Sequence, residues 1–243
     1  MKRSKLFSLA LLAFGLCGTM FTSCDDDDDY PFEVIGDAYM KKMDVEGTTK
    51  YAAVNIIYAN ETMSAATVTT PTGEETLEKF YENTTAFWNK TKAEQYVEDI
   101  PAVGNYTFKG TNVGQEQLTS VDELTDDEID LPVITRAEYD GTSSMMELEW
   151  DKVADADAYN IKMVDEDGDI VFNGPALNDK AEDYAFGLTS SGWTKPTKAE
   201  NGKTYTIHLR AYLFDDEATN ANWSYNIQCI SITTQEVVWN PEQ

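Results

Sequence analysis

The amino-acid sequence is acidic and poor in histidine and cysteine. It has 243 residues, with 18 Lys and Arg against 44 Asp and Glu, which gives a net charge of −26. So negative a surface repels nucleic acid and anionic lipid headgroups, and we therefore expect no nucleic-acid partner. The single histidine, His208, cannot build a multi-histidine metal site, and Cys229 lacks a second core cysteine for a disulfide or a zinc site.

The first 23 residues have the charge and hydropathy pattern of a signal peptide. Lys2, Arg3 and Lys5 form a basic start, and an apolar run follows over residues 6–16. This run is too short to span a bilayer as a helix, because a span takes about 20 apolar residues. We therefore assign residues 1–23 to a signal peptide that is removed on export.

Cys24 directly follows this leader, after Thr22 and Ser23, and aspartates occupy positions 25–29. The Ser-Cys step at the end of an apolar run resembles the lipobox of bacterial lipoproteins, although Phe21 stands where that family usually has Leu, Val or Ile. The resemblance implies that Cys24 is acylated, becomes the first mature residue and holds the protein on a membrane. The alternative is ordinary secretory cleavage near this point, which would leave Cys24 as an exposed thiol.

The aspartate run predicts an acidic tether over residues 24–30, because like charges repel one another and extend a chain. An acidic run directly after the acylated cysteine also resembles the surface-export signal of Bacteroidota lipoproteins. This resemblance implies a place on the outer face of the outer membrane. In enterobacterial lipoproteins, an aspartate after the cysteine implies retention at the inner membrane instead.

Residues 31–120 are predicted to form the first domain. Apolar residues alternate along 51–58, which indicates a strand with both faces fairly apolar, and further strands are predicted at 65–70 and 104–108. The segment 74–83 mixes helical spacing with strand-favouring neighbours, and we predict strand there. The pattern weakly resembles an immunoglobulin-like sandwich.

A cluster of acids separates this part from the next. Six of the thirteen residues at 120–132 are acidic, and Pro132 ends the stretch. Acidic segments closed by proline are typical of linkers. We therefore predict an acidic linker at 121–131 between two domains of ordinary size.

Residues 132–238 show strong alternation of apolar and polar residues, which predicts a second sandwich. Trp150, followed by the alternating strand around Tyr159, resembles strands B and C of a fibronectin type III domain. Residues 201–211 resemble its strand F, and the resemblance implies that the Tyr205 hydroxyl bonds to upstream backbone. The chain as a whole is thus predicted to be all-β, with two tandem β-sandwich domains, immunoglobulin-like and then fibronectin type III-like.

Asp165, Asp167 and Asp169 alternate in a predicted turn, and alternating carboxylates are ligands that calcium favours. The stretch lacks the full EF-hand frame with its distal glutamate. An Asp-Gly step at Gly168 also explains a tight hairpin without any metal. We expect no cofactor, and calcium at this turn remains the alternative.

The segment 212–225 is the predicted recognition loop. Phe214, Trp223 and Tyr225 supply aromatic faces, and Asn222 supplies an amide, which together could stack on a sugar and hydrogen-bond to it. The alternative is that Trp223 and Tyr225 begin the last strand and pack on the core, as aromatic residues at strand ends often do.

These features predict a non-catalytic cell-surface lipoprotein that binds a glycan or a protein partner. One alternative is a structural spacer or assembly component of a surface complex. Another is a glycoside hydrolase, which needs two carboxylates about 5–10 Å apart in a cleft. His208 is predicted to point outward between Thr206 and Arg210, which is unsuited to a catalytic triad.

Overall fold

The computed structural model describes most of the chain beyond the leader. Cys24 and the aspartates after it lie outside the described residues, so lipidation and the acidic tether stay predictions. No helix in the described part has the length and hydropathy needed to cross a membrane. The described residues are 31–80, 82–89, 95–195, 198–216, 218–219 and 221–240, without the side chain of Trp223.

The described chain consists mainly of β-strands in sandwich-like sheets, which confirms the predicted all-β fold class. A short 3-10 turn lies at Trp223–Tyr225. The ambiguous segment 74–83 is strand over most of its length, as predicted. The strands are β1 (Val34–Val45), β2 (Thr48–Ala59), β3 (Met63–Thr70), β4 (Gly73–Phe80), β5 (Asn83–Trp88), β6 (Gly104–Asn112), β7 (Gln117–Leu124), β8 (Val133–Asp140), β9 (Met145–Asp151), β10 (Ala158–Val164), β11 (Ile170–Asn173), β12 (Leu177–Asn178), β13 (Asp183–Phe186), β14 (Thr204–Phe214) and β15 (Ile227–Val238).

The described residues divide into two compact units. We call residues 31–128 together with 214–229 the N-terminal unit, and residues 129–213 together with 230–240 the C-terminal unit. The last strand therefore contributes its first three residues to one unit and the rest to the other.

The strands of the N-terminal unit run in the order β1-β2-β5-β4-β3-β6-β7, with the start of β15 beside β1. The long hairpin of β1 and β2 pairs in register from Val34 opposite Ala59 to Val45 opposite Thr48. β4 pairs with β3 through its first half and with β5 near its end, so it takes part in both layers. The Ala38 N–H of β1 also donates to the Asp122 carboxylate of β7 at 2.7 Å.

Two features of the N-terminal unit correct the predicted domain boundaries. Residues 121–124 belong to β7 and not to a linker: the exposed positions Val121 and Glu123 alternate there with the half-buried Asp122 and the buried Leu124, as in a strand with one exposed face. Residues 214–229, predicted in the second domain, belong to the first unit. The Ile227 N–H donates to Asp37 of β1, and the Gln228 side chain bonds to the backbone around Thr125.

The C-terminal unit has two sheets, with strand orders β11-β10-β14-β15 and β13-β9-β8, and β12 also pairs with β10. An aromatic core lies within this unit. The rings of Phe172 and Phe186 stack with centroids 4.0 Å apart, and Trp193 meets Trp239 edge to face at 5.6 Å. Burial of so much aromatic area is a large apolar contribution to stability.

Two tyrosine hydroxyls tie loops of this unit to its strands. The Tyr205 hydroxyl accepts the Glu200 N–H at 2.9 Å, which confirms the predicted bond to upstream backbone. The Tyr159 hydroxyl accepts the Val153 N–H at 2.8 Å in the same manner. Each bond satisfies a backbone donor that folding removes from water.

Candidate functional site

The predicted recognition loop at 212–225 is partly packed into the fold. Tyr212 and Phe214 are buried, with 4% and 6% of their surfaces exposed. Tyr225 is half-buried, and its ring meets the ring of Tyr58 edge to face with centroids 5.0 Å apart. Phe214 therefore offers no face to a ligand, and Tyr225 offers part of one.

The side-chain amide of Asn222 in the same loop hydrogen-bonds within the loop. The Asn222 side-chain oxygen accepts the Thr219 hydroxyl at 2.8 Å and also the Thr219 N–H. The Asn222 carbonyl accepts the side-chain amide of Asn226 at 2.8 Å. Trp223 begins the 3-10 turn, and its side chain lies outside the described part of the structure. The sugar-binding prediction for Trp223 thus stays a prediction.

The predicted calcium turn connects β10 and β11. The Asp165 carboxylate accepts the Asp169 N–H at 2.9 Å, and Gly168 has a φ of +83°, which favours glycine in a tight turn. Asp167 is exposed.

A lysine ammonium lies between two of the three predicted calcium ligands. Lys195 Nζ is 2.9 Å from Asp165 Oδ2 and 2.8 Å from Asp169 Oδ2. Its hydrogen bond lowers the pKa of Asp165, and the two carboxylates raise the pKa of Lys195. Within the described residues, no group of three or more His, Cys, Asp or Glu side chains is arranged to hold a metal ion.

A cleft of about 230 Å³ opens in the N-terminal unit, at a place that the sequence analysis did not identify. The buried lining residues are Ala52 and Asn55 of β2, Thr70 at the end of β3 and Tyr106 of β6. The segment 95–102, between β5 and β6, supplies another wall, and Glu75 of β4 lies at the exposed rim.

Asn55 is the most buried polar side chain of this cleft, with 1% of its surface exposed. Its side-chain oxygen, Oδ1, has no hydrogen-bond partner among the described residues. Its backbone is held in place, since its N–H donates to Asn89 Oδ1 at 2.7 Å and its carbonyl accepts the Asn89 N–H at 3.0 Å. An unsatisfied buried acceptor costs about 1–3 kcal/mol, which a ligand donor would recover.

The wall at 95–102 is fixed at two points. Tyr51 and Val97 form an antiparallel bridge, with N–H to carbonyl distances of 2.7 and 2.9 Å. The Tyr106 hydroxyl donates to the Ala102 carbonyl at 2.7 Å. A wall fixed in this way keeps the cleft open before a ligand arrives, which lowers the entropic cost of binding.

The charged side chains that line the cleft are all acidic. The cleft is lined by the carboxylates of Glu75 and Asp99, and no basic residue is among its described lining residues. Burial, and then the charge of Glu75, raise the pKa of Tyr106. Burial, and then the carboxylate of Glu128 that accepts a hydrogen bond from the Tyr51 hydroxyl, raise the pKa of Tyr51 to about 12. Both phenols are therefore neutral hydrogen-bonding groups at neutral pH.

One sequence signal could have pointed to this cleft. Asn55 interrupts an apolar run of β2 whose neighbours Val54, Ile56 and Ile57 are all buried. A polar residue on a strand that is buried on both faces needs a partner. The other lining residues come from distant parts of the sequence, so no local pattern unites them.

The described part of the chain is an all-β protein with a small cleft in its N-terminal unit. No family model matches the sequence, and no curated protein matches it either. A solved structure described as "Biofilm associated protein - BSP domain" is similar with a TM-score of 0.25 and 11% identity, over 86% of this chain and 30% of that one.

A second similar structure is a tetra-tandem repeat in the extending region of a large adhesion protein. It has a TM-score of 0.26 and 14% identity, over 82% of this chain and 49% of that one. This chain thus spans half or less of the length of both. Neither likeness assigns this chain a family or a ligand.

Proposed function

We propose that this chain is a non-catalytic binding module that an acylated Cys24 holds on the outer face of the outer membrane. The cleft in the N-terminal unit is the observation that carries the binding function. It has a fixed wall, a buried acceptor without a partner on Asn55, and space for part of a ligand. The ligand is a glycan or a protein partner.

The cleft favours binding over a purely structural spacer. A spacer needs smooth polar faces, whereas the cleft wall presents Val97 and Ile100 with 54% and 43% of their surfaces exposed. Exposed apolar groups beside a polar acceptor are typical of sites that bury part of a ligand.

The exposure of the cleft carboxylates argues against a glycoside hydrolase. Glu75 and Asp99 both lie at the solvent-exposed rim. The acid of such an enzyme must stay protonated at neutral pH, and enzymes achieve this by burying it in an apolar pocket. We therefore assign these carboxylates to binding and not to proton transfer.

The leader and the two units fit the role of a surface lipoprotein. Positions 25–29 extend the chain away from the acyl group as an acidic tether, following the resemblance to Bacteroidota surface lipoproteins. The two units supply immunoglobulin-like and fibronectin type III-like sandwiches, which present loops and clefts to partners. The acidic surface keeps nucleic acid away.

Changing Cys24 to serine is expected to abolish attachment to the membrane, because serine lacks the thiol that is acylated. We expect the full chain to incorporate labelled palmitate and to sediment with outer membranes, and the Cys24→Ser variant to do neither. Cys17→Ser is the matched control and is expected to keep both properties. Palmitate incorporation that survives in Cys24→Ser would contradict the anchor.

Binding is tested by applying the full chain to a broad glycan array and to immobilised surface proteins, with and without calcium. A ligand of the cleft is expected to bind the Ile100→Ala variant about tenfold more weakly, because apolar contact is lost. Val113→Ala, at an exposed apolar residue outside the cleft lining, is the control and is expected to bind normally.

The Trp223→Ala variant separates the two sites. A ligand lost only in Trp223→Ala would move the binding site to the 212–225 loop, and a calcium requirement would indicate the 165–169 turn. No ligand under any condition would overturn the binding function in favour of a spacer.

A further inference from the structure

We infer that the cleft accepts one lysine or arginine side chain presented by a partner protein. This inference rests on the proposed binding function and specifies the ligand of the same site. It combines three observations: the charge of the rim, the unsatisfied acceptor of Asn55, and the apolar wall at 95–102.

The charge of the cleft selects against anions and favours cations. Glu75 and Asp99 contribute two carboxylates, and the described lining contributes no ammonium, guanidinium or imidazole. The whole chain is strongly acidic, which raises the local concentration of cationic ligands and excludes acidic ones. A positively charged ligand is therefore attracted electrostatically to the cleft, whereas a neutral sugar is not.

The buried acceptor requires a donor. Asn55 has 1% of its surface exposed, and its Oδ1 atom lacks a hydrogen-bond partner among the described residues. Lysine and arginine carry only donors at the tip of the side chain, so they match an acceptor without leaving a lone pair unsatisfied.

The apolar wall suits the aliphatic stem of such a side chain. Val97, Ile100 and Pro101 line the cleft beside the carboxylates. Lysine and arginine bury their methylene stems against apolar surface while their charged tips stay solvated or paired. A sugar would instead need an exposed aromatic face, but Tyr106 is only 2% exposed, and the hydroxyl of the half-buried Tyr51 already bonds to Glu128.

The size of the cleft indicates one side chain and not a whole ligand. Its volume of about 230 Å³ is below the roughly 300–1,000 Å³ of sites for drug-sized molecules. A single basic residue on a partner surface fits this volume. The remaining contacts of the partner would then lie outside the cleft.

The probe for this inference is the capped tripeptide acetyl-Gly-Arg-Gly-amide, titrated into the millimolar range with the ¹⁵N-labelled full chain. We expect saturable shifts of the backbone amide signals of Tyr51, Thr72 and Ile100 in two-dimensional NMR spectra. The matched peptide with citrulline keeps the shape but loses the charge, and we expect it to bind at least threefold more weakly.

Rim variants test the role of charge. Glu75→Gln and Asp99→Asn are each expected to lower the affinity for the arginine peptide about two- to fivefold, as for solvent-exposed ion pairs. Neither is expected to change the affinity for the citrulline peptide much. Glu74→Gln removes the same charge from the neighbouring exposed position of β4, outside the cleft lining, and is expected to bind as the unaltered chain does. All three changes are at exposed positions, so the fold is preserved.

The outcomes separate the ligand class from the binding function. Equal binding of arginine and citrulline peptides, or a Glu74→Gln effect as large as that of Glu75→Gln, would overturn the cationic ligand. Cleft shifts with a neutral glycan but not with arginine would also overturn it, while the binding function stands. Absence of cleft shifts with peptides and glycans alike would overturn both the cationic ligand and the assignment of binding to this cleft.

Discussion

Replacing Asp37 by asparagine is expected to stabilise the N-terminal unit by about 1–3 kcal/mol at neutral pH. Asp37 lies on β1 with none of its surface exposed. Its Oδ1 accepts the Ile227 N–H at 3.2 Å, whereas its Oδ2 is buried without a hydrogen-bond partner among the described residues. Asparagine keeps the acceptor for Ile227 and has no ionisable group, so folding no longer has to bury a charge or take up a proton at this position.

The pH dependence of the free energy of unfolding gives the sign of this effect. Burial raises the pKa of Asp37 well above its ordinary value of 3.8, the charges of Asp122 and Asp215 raise it further, and the Ile227 N–H lowers it only in part. The folded chain therefore holds a proton on Asp37 that the unfolded chain releases near pH 3.8. The stability linked to this proton is present below that pH and is lost as the pH rises through the raised pKa.

The groups that face Asp37 come from several elements. β7 contributes Asp122, the residue after β14 contributes Asp215, β15 contributes the Ile227 N–H, and β2 contributes Ile56, which does not titrate. Neutralising the carboxyl of Asp37 thus removes a like-charge repulsion as well as a desolvation cost.

Chemical denaturation from about pH 4 to about pH 8 checks this prediction. The unaltered chain is expected to lose stability over this range relative to Asp37→Asn. Glu123→Gln, at an exposed position of β7, is the control and is expected to change stability by less than about 0.5 kcal/mol with an unchanged pH slope. An Asp37→Asn variant that is less stable at neutral pH would show that the carboxyl of Asp37 does not destabilise the folded chain.

Alternation along the chain was sufficient to predict most strands. β14 is the clearest case, because Tyr205, Ile207 and Leu209 are buried while Thr206 and His208 between them are partly exposed. Such a strand has one face toward a core and one toward solvent, and the period of two is visible in the sequence. β15 does not alternate in its first half, because both of its faces are buried from Ile227 to Ile232.

The domain boundaries and the cleft could not be predicted from local patterns. The acids near 121–124 resemble a linker in composition, yet β7 carries Glu123 at an exposed position and Asp122 at a half-buried one, where it accepts the Ala38 N–H. Residues 214–229 belong to the N-terminal unit through contacts such as that between Tyr225 and Tyr58, far apart in sequence. Composition indicates which segments are solvated, whereas contacts between residues far apart in sequence depend on tertiary packing.

The interior of the N-terminal unit depends on a close approach between its layers at Gly36. A Cβ at this position of β1 would lie 2.1 Å from Cδ2 of Phe108 on β6, a ring that is fully buried. Real Cβ atoms do not come so near, so the ring or the strand must move. Gly36→Ala is therefore expected to destabilise the unit by about 3 kcal/mol, at the upper end for added core methyl groups.

A double-mutant cycle shows whether the ring is the cause. Phe108→Leu alone loses packing, but it also makes room, so Gly36→Ala is expected to cost at least 1 kcal/mol less in its presence, roughly the coupling of contacting residues. Gly114→Ala is the matched control, because its nearest neighbour is the Asn112 side-chain oxygen at 3.3 Å and the site is exposed. Its stability is expected to change by less than about 1 kcal/mol. Additive costs for Gly36→Ala and Phe108→Leu would place the strain elsewhere in β1, since a clash with the ring must weaken when the ring is removed.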